Sequence, residues 1–148
     1  MPLAFPPVTS SVAQRTSTVL VFSHRPEVRE AIISAVGRRP APDVGRVRYL
    51  EAAGIAEVLA AADAGTVDLA ILDGEAQPTG GMGICRQLKY EIEDCPAVCI
   101  LLGRRDDRWL ATWALADATL ERPVDPTAAA ETVAQLLRDR ARGVPVLR

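Results

Sequence analysis

Residues 67–73 read VDLAILD, an apolar run that ends on an aspartate. A second run, TVLVF at 18–22, is short and continuously apolar, which is typical of a strand covered on both faces. Neighbouring parallel strands deliver their carboxyl ends to one edge of a sheet, so Asp73 should lie near the residues that follow Phe22. Those residues are Ser23 and His24, and neither of them is acidic. The sequence therefore predicts a sheet-edge aspartate that lacks acidic neighbours.

Strand and helix patterns alternate on both sides of these two runs. Pro26 and Pro126 are suited to the first turn of a helix, Gly37 and Gly65 to a helix end, and Asp106 or Asp107 to the cap of the fourth helix. In the last helix the buried stripe is predicted to be Ala130, Val133, Leu136 and Leu137. The predicted strands are 18–22, 46–52, 67–73, 96–103 and 117–123, and the predicted helices are 26–39, 54–65, 84–94, 106–116 and 126–142.

This alternation predicts the fold class. Short buried strands joined by helices pair in parallel through right-handed crossovers, which gives an α/β three-layer sandwich. Five such units favour a doubly wound five-stranded sheet in the order 2-1-3-4-5, with five helices. We expect a flexible N-terminal arm at 1–17, one folded domain at 18–141 and a C-terminal tail at 142–148.

Composition and charge exclude several function classes. The chain has 148 residues, 49% of them hydrophobic, and a formal net charge of -2 with no basic cluster, so we expect no nucleic-acid or membrane partner. No segment is long and apolar enough to span a bilayer, and no signal peptide is evident, so we expect a cytoplasmic protein. Cys85, Cys95 and Cys99, with His24 as the only histidine, lack the spacing of a zinc site, so they are interpreted as unpaired thiols.

Three segments resemble the receiver domains of two-component response regulators: TVLVFSHRPEVREAI, VDLAILDGE and ATLERPVDP. The resemblance covers about residues 18–141. It implies that Asp73 is the phosphoacceptor position and that Ser23 and His24 replace the two acids that typically hold Mg²⁺. It also places the backbone carbonyl of Glu75 as a metal ligand and Arg122 where receivers have a lysine. By the same resemblance, the Arg122–Pro123 bond is expected to be cis.

The chain departs from the receiver pattern where the chemistry occurs. Mg²⁺ prefers carboxylate oxygens, so Asp73 with the carbonyl of Glu75 is expected to be a weak magnesium site at best. The switch hydroxyl that typically ends the fourth strand falls on Leu102 or Gly103, and the switch aromatic falls on Thr119. We therefore expect no cofactor, with Mg²⁺ required only if Asp73 is phosphorylated.

Each of these residues also has a simpler interpretation. Asp73 alone could be a hydrogen-bonded acid that holds the following loop, and His24 could pair with it as a cation. Ser23, His24 and Asp73 resemble a hydrolase triad, but adjacent residues on an extended segment point in opposite directions, so we expect no enzyme activity. The cluster Gly80, Gly81 and Gly83 could approach a phosphate, although a tight turn is favoured.

Trp109 and Trp113 lie four residues apart on the predicted fourth helix, a spacing that places both on one face. Exposed aromatic residues suit protein interfaces, and receivers commonly use the fourth helix, fifth strand and fifth helix for contacts. We expect no output domain after the tail. The favoured hypothesis is a stand-alone atypical receiver that acts by contact with a sensor kinase, another regulatory protein or a second copy. The alternatives are a conventional phosphoacceptor that uses Asp73 and a small-ligand-binding flavodoxin-like module.

Overall fold

A computed structural model describes residues 15–148. Most of the predicted arm at 1–17 lies outside this range, although Ser17 already belongs to the first strand. The five strands are β1 Ser17–Phe22, β2 Val47–Ala52, β3 Leu69–Asp73, β4 Ala97–Leu102 and β5 Ala118–Glu121. The five α-helices are α1 Pro26–Val36, α2 Ile55–Asp63, α3 Gly81–Glu91, α4 Arg108–Trp113, which follows a 3₁₀ turn at Arg105–Asp107, and α5 Pro126–Ala141.

The strands form one parallel sheet in the order β2-β1-β3-β4-β5, which confirms the predicted topology. Alternate residues of β1 face opposite sides, so Val19 and Val21 join the core under α1 and α5. Leu20 and Phe22 join the second core, which lies under α2, α3 and α4. Because both faces of β1, β3 and β4 are covered, these three strands read as mainly apolar runs, and this is why the sequence pattern identified them.

Several details differ from the sequence-based expectation. On α5 the residue that opens the buried stripe is Ala129, not Ala130, which is only half-buried. Neither Asp106 nor Asp107 caps α4: Asp107 occupies the N-cap position without a side-chain cap bond and accepts a hydrogen bond from Arg104 instead. The third helix begins at Gly81, three residues earlier than predicted, because the glycines there adopt helical backbone.

The three cysteines are buried and unpaired. Burial raises the pKa of the Cys85 thiol and of the Cys99 thiol to about 12, so both remain protonated at neutral pH. They behave as small apolar core residues rather than as metal ligands or nucleophiles. Within residues 15–148, no helix has the length and hydropathy needed to cross a membrane.

Candidate functional site

The candidate site lies where β1 and β3 end side by side. Phe22 pairs with Leu72, so the next residues of the two strands, Ser23 and Asp73, lie close together, and both are fully buried. The Ser23 hydroxyl donates a hydrogen bond of 2.7 Å to Oδ2 of Asp73. Ser23 Oγ also accepts a bond of 3.1 Å from the backbone N–H of Arg25, which fixes the hydroxyl at the start of α1.

The other carboxylate oxygen of Asp73 is engaged as well. Oδ1 accepts 2.9 Å from the backbone N–H of Glu75 and 2.6 Å from the guanidinium of Arg122. The Arg122 side chain is 23% exposed and that of Asp73 only 1%, so the charge of the acid is balanced by a partly solvated cation. Arg122 directly follows β5, where its N–H bonds to the carbonyl of Leu102, and its bond to Pro123 is cis, as expected.

His24 does not join this network. Its side chain is exposed, and Nδ1 accepts a hydrogen bond of 2.9 Å from the backbone N–H of Gln77, so it ties the end of β1 to the loop after β3. The pairing of His24 with Asp73 that the sequence suggested is therefore not formed. Ser23 instead bonds Asp73 directly, with no imidazole between them, so the three residues do not form a hydrolase triad.

Neither position expected to carry the switch hydroxyl, Leu102 or Gly103, has a hydroxyl group. Leu102 is the last residue of β4 and is fully buried, whereas Thr119 lies half-buried within β5. Gly103 follows Leu102, and the carboxylate of Glu75 lies against it: a Cβ at Gly103 would stand 1.8 Å from Glu75 Oε1. An acidic side chain thus occupies the space beside Gly103.

The glycines after Asp73 serve close packing. Gly80 is the N-cap of α3, and a Cβ there would lie 2.8 Å from the carbonyl oxygen of Gly74. A Cβ at Gly81 would lie 2.8 Å from the carbonyl oxygen of Asp73. The favoured tight-turn interpretation is only partly right, because Gly81 and Gly83 lie in the first turn of α3. Gly80 and Gly81 let the start of α3 approach the end of β3.

The residues at this site do not fit Mg²⁺. Asp73 is the one carboxylate of the network, and its two oxygens are already bonded to a hydroxyl, an amide and a guanidinium. Ser23 and His24 offer a neutral hydroxyl and an imidazole that bonds elsewhere, whereas Mg²⁺ requires several hard oxygen ligands. Across the described part of the chain, no group of three or more His, Cys, Asp or Glu side chains could hold a metal ion.

Comparison with known proteins decides the family. No family model matches the chain. An uncharacterized response regulatory protein of Mycobacterium tuberculosis is 48% identical over 129 residues, which cover 87% of this chain and 95% of that protein. The chain belongs to the response regulator family. The receiver fold is also that of a CheY-like receiver domain protein from Methanospirillum hungatei, with a TM-score of 0.67, 14% identity, and coverage of 87% of this chain and 99% of that one. A LuxR-family two-component response regulator from Aurantimonas gives a TM-score of 0.69 at 20% identity, with 88% and 96% covered.

A second feature of this response regulator is an aromatic surface on α3 and α4. Trp109 and Trp113 are 67% and 52% exposed. The Arg86 guanidinium of α3 lies 4.5 Å from the Trp113 ring centroid and also donates to the Trp113 carbonyl. Tyr90, one turn after Arg86, is 90% exposed. We call these four residues the α3–α4 surface. The sequence pattern identified its tryptophans but not Arg86, whose contact joins two helices that are separated in sequence.

Proposed function

We propose that this receiver domain works in cytoplasmic signal transduction by binding a protein partner, with Mg²⁺-dependent phosphorylation of Asp73 lost or weak. The proposal rests on the hydrogen bonds that already engage the Asp73 carboxylate. Both of its oxygens are bonded to groups of the domain itself, namely Ser23, the amide of Glu75 and Arg122.

Phosphoryl transfer depends on positioning of the phosphate and on neutralisation of its charge by a metal ion and a cation. Ser23 and His24 occupy the positions at which receivers typically have two metal-binding acids. The guanidinium of Arg122 already contacts Asp73 at 2.6 Å. A phosphodonor would have to displace these contacts from a buried carboxylate. The reaction therefore starts from a more stable ground state and lacks the ion that normally assists it.

Incubation with acetyl phosphate and Mg²⁺, followed by intact-mass measurement, tests this proposal. We expect slow, substoichiometric addition of one phosphoryl group. The Asp73→Asn variant provides the background for any modification elsewhere. Rapid stoichiometric labelling that disappears in Asp73→Asn would contradict the proposal and support the conventional phosphoacceptor.

A gain-of-function variant tests the same point from the opposite side. Ser23→Asp combined with His24→Asp supplies two carboxylates at the end of β1, next to Asp73. We expect the double variant to bind Mg²⁺ more tightly than the unmodified protein in isothermal titration calorimetry, because hard oxygen ligands replace a hydroxyl and an imidazole. Unchanged affinity would mean that the geometry of the crevice, not the side chains, limits metal binding.

The exposed tryptophans are the proposed anchors of the protein contact. The partner is a sensor kinase, another regulatory protein or a second copy that meets α4, β5 and α5. Arg105 and Arg108 at the edge of this face both pair with Glu121, and such charge pairs suit the rim of an interface. Exposed tryptophans are common among the residues that contribute most to binding.

Substitution of the tryptophans tests this contact. Trp109→Ala or Trp113→Ala should weaken association by about 2 kcal/mol, which is roughly 30-fold in Kd. Self-association is measured by sedimentation velocity, and binding to a partner co-purified from the native cell by biolayer interferometry. Arg48→Ala, exposed on the edge strand β2, is the control. Wild-type binding by both tryptophan variants would exclude this face.

A further inference from the structure

The end of the sheet opposite Asp73, where the strands begin, is covered by the last residues of the chain. After α5 ends at Ala141, Gly143 adopts the left-handed conformation with φ +73°, which turns the chain back. The N–H of Val144 then bonds to the carbonyl of Asp139 at 2.9 Å. We call residues Val144–Arg148 the strap.

The strap connects elements that are distant in sequence. The N–H of Leu147 donates 2.8 Å to Oδ1 of Asp117, which lies just before β5. The guanidinium of Arg148 donates to the carbonyls at the end of α3, namely those of Lys89, Ile92 and Glu93. Those carbonyls have no partner within the helix, so a cation there is favourable both as a donor and for the helix dipole.

A buried ion pair lies under the strap. Lys89 is the only lysine of the chain, and its Nζ lies 2.7 Å from Oδ2 of Asp117, with side-chain exposures of 2% and 10%. The same Oδ2 accepts 2.8 Å from the N–H of Val98 at the start of β4. Asp117 therefore joins α3, β4 and the strap, and the strap completes the set of groups around its carboxylate.

We propose that the strap is a releasable clamp, whose detachment exposes the Lys89–Asp117 pair and loosens the end of α3 while the sheet stays folded. Three of the four hydrogen bonds from Leu147 and Arg148 are exposed to water, which competes for the same groups. Val144 and Leu147 are 49% and 53% exposed, and only Val146 packs against the cores. The strands beside it are buried, so the strap opens at a lower free energy than the sheet.

Release of the strap acts close to the tryptophans that the proposed function uses as anchors. Arg86, which holds Trp113, lies one turn before Lys89 on α3, and Asp117 lies in the segment that joins α4 to β5. Loss of the strap therefore removes hydrogen bonds from the end of α3 and from Asp117, the two places next to the α3–α4 surface that the strap contacts. This device needs neither Mg²⁺ nor a phosphate on Asp73, so it holds whether or not Asp73 is phosphorylated.

Acylation of Lys89 measures release directly. The full chain is treated with N-hydroxysuccinimidyl acetate in native buffer, and the extent of reaction at the Lys89 peptide is followed by mass spectrometry. The N-terminal amine reacts in a separate peptide and serves as the internal reference. Since an amine must be exposed and uncharged to react, Lys89 should react only in molecules with an open strap.

We expect Arg148→Ala and Leu147→Pro, which removes the N–H bonded to Asp117, to raise the rate at Lys89 by about tenfold. Arg142→Ala removes an exposed arginine two residues before the strap and should leave the rate unchanged. Hydrogen exchange should show faster exchange at the end of α3 and unchanged protection in β3. An acylation rate at Lys89 that is equal in the unmodified protein and all three variants, or that follows global unfolding in urea, would overturn the proposal. If Leu147→Pro does not fold, the rate in Arg148→Ala alone decides the outcome.

Discussion

The carboxylate of Asp73 is fully buried and that of Asp117 is largely buried, at the opposite end of the same sheet, and the two differ in the groups that bond to them. Asp73 bonds to Ser23, the amide of Glu75 and Arg122, which follow the ends of β1, β3 and β5. Asp117 bonds to Lys89, the amide of Val98 and the amide of Leu147, which belongs to the strap. One acid is closed by the framework of the fold and the other by a segment that lies on its surface.

The difference concerns which end can respond to a signal. A regulatory element needs two arrangements that are close in free energy. At the Asp73 end, opening the site means breaking three hydrogen bonds to a fully buried carboxylate whose partners follow the ends of strands. At the Asp117 end, it means detaching five residues whose hydrogen bonds come mainly from the Arg148 side chain and which make one apolar contact. The comparison therefore favours the strap end as the movable part of this receiver.

Removal of Asp117 should have the largest effect on stability. Asp117→Ala leaves the ammonium of Lys89 buried without its counterion, and such a loss costs about 3–5 kcal/mol of unfolding free energy. Urea unfolding followed by circular dichroism measures it. Asp94→Ala, whose carboxylate is 85% exposed and 3.6 Å from Arg140, is the matched control and should change stability by less than about 0.5 kcal/mol. A loss below about 1 kcal/mol in Asp117→Ala would mean that Lys89 readily reaches water, and the contrast between the two ends would weaken.

The sequence predicted the Asp73 end much better than the Asp117 end. Continuous apolar runs identify the central strands, and parallel pairing places the residues after them together, so Ser23 and Asp73 could be expected near one another. The position of Arg122 followed only from the resemblance to receivers. The direction of the His24 side chain could not be predicted, because it depends on the path of the loop after β3. There His24 Nδ1 accepts a hydrogen bond from the N–H of Gln77. Loops carry no periodic signal from which such a contact follows.

The Lys89–Asp117 pair was missed for a different reason. A lysine is most often solvated, so a lone lysine in an amphipathic helix is assigned to the polar face. The signal that was present is its position four residues after Cys85, which places it on the buried stripe of α3. Asp117 is 28 residues from Lys89 in sequence, and Arg148 of the strap is 59 residues from Lys89. A local sequence pattern predicts neither contact.

Removal of the Ser23 hydroxyl should have an intermediate effect. Ser23→Ala takes one donor from the buried carboxylate of Asp73, which keeps Arg122 and the amide of Glu75, so we expect a loss of about 1–2 kcal/mol in unfolding free energy. The control is Ser34→Ala at an exposed position of α1, which should be neutral or slightly stabilising because alanine has the higher helix propensity. Increased stability in Ser23→Ala would show that Arg122 alone satisfies Asp73.

The smallest effect is expected at Gly103, where the question is whether Glu75 belongs to the closed network. A Cβ there would stand 1.8 Å from Glu75 Oε1, so Gly103→Ala forces the carboxylate to move. Glu75 is exposed, and the end of its side chain can rotate into water, so we expect a change of less than about 0.5 kcal/mol.

A double-mutant cycle decides the role of Glu75. If the carboxylate only fills space beside Gly103, then Gly103→Ala should have the same effect on unfolding free energy in the protein with Glu75 and in the Glu75→Ala background, within about 0.5 kcal/mol. Urea unfolding of the four proteins gives the coupling. A coupling above about 1 kcal/mol would place Glu75 among the groups that hold the loop beside Asp73. Closure of that end would then depend on a solvent-exposed side chain as well as on the strand ends, and the two ends of the sheet would differ less than their geometry suggests.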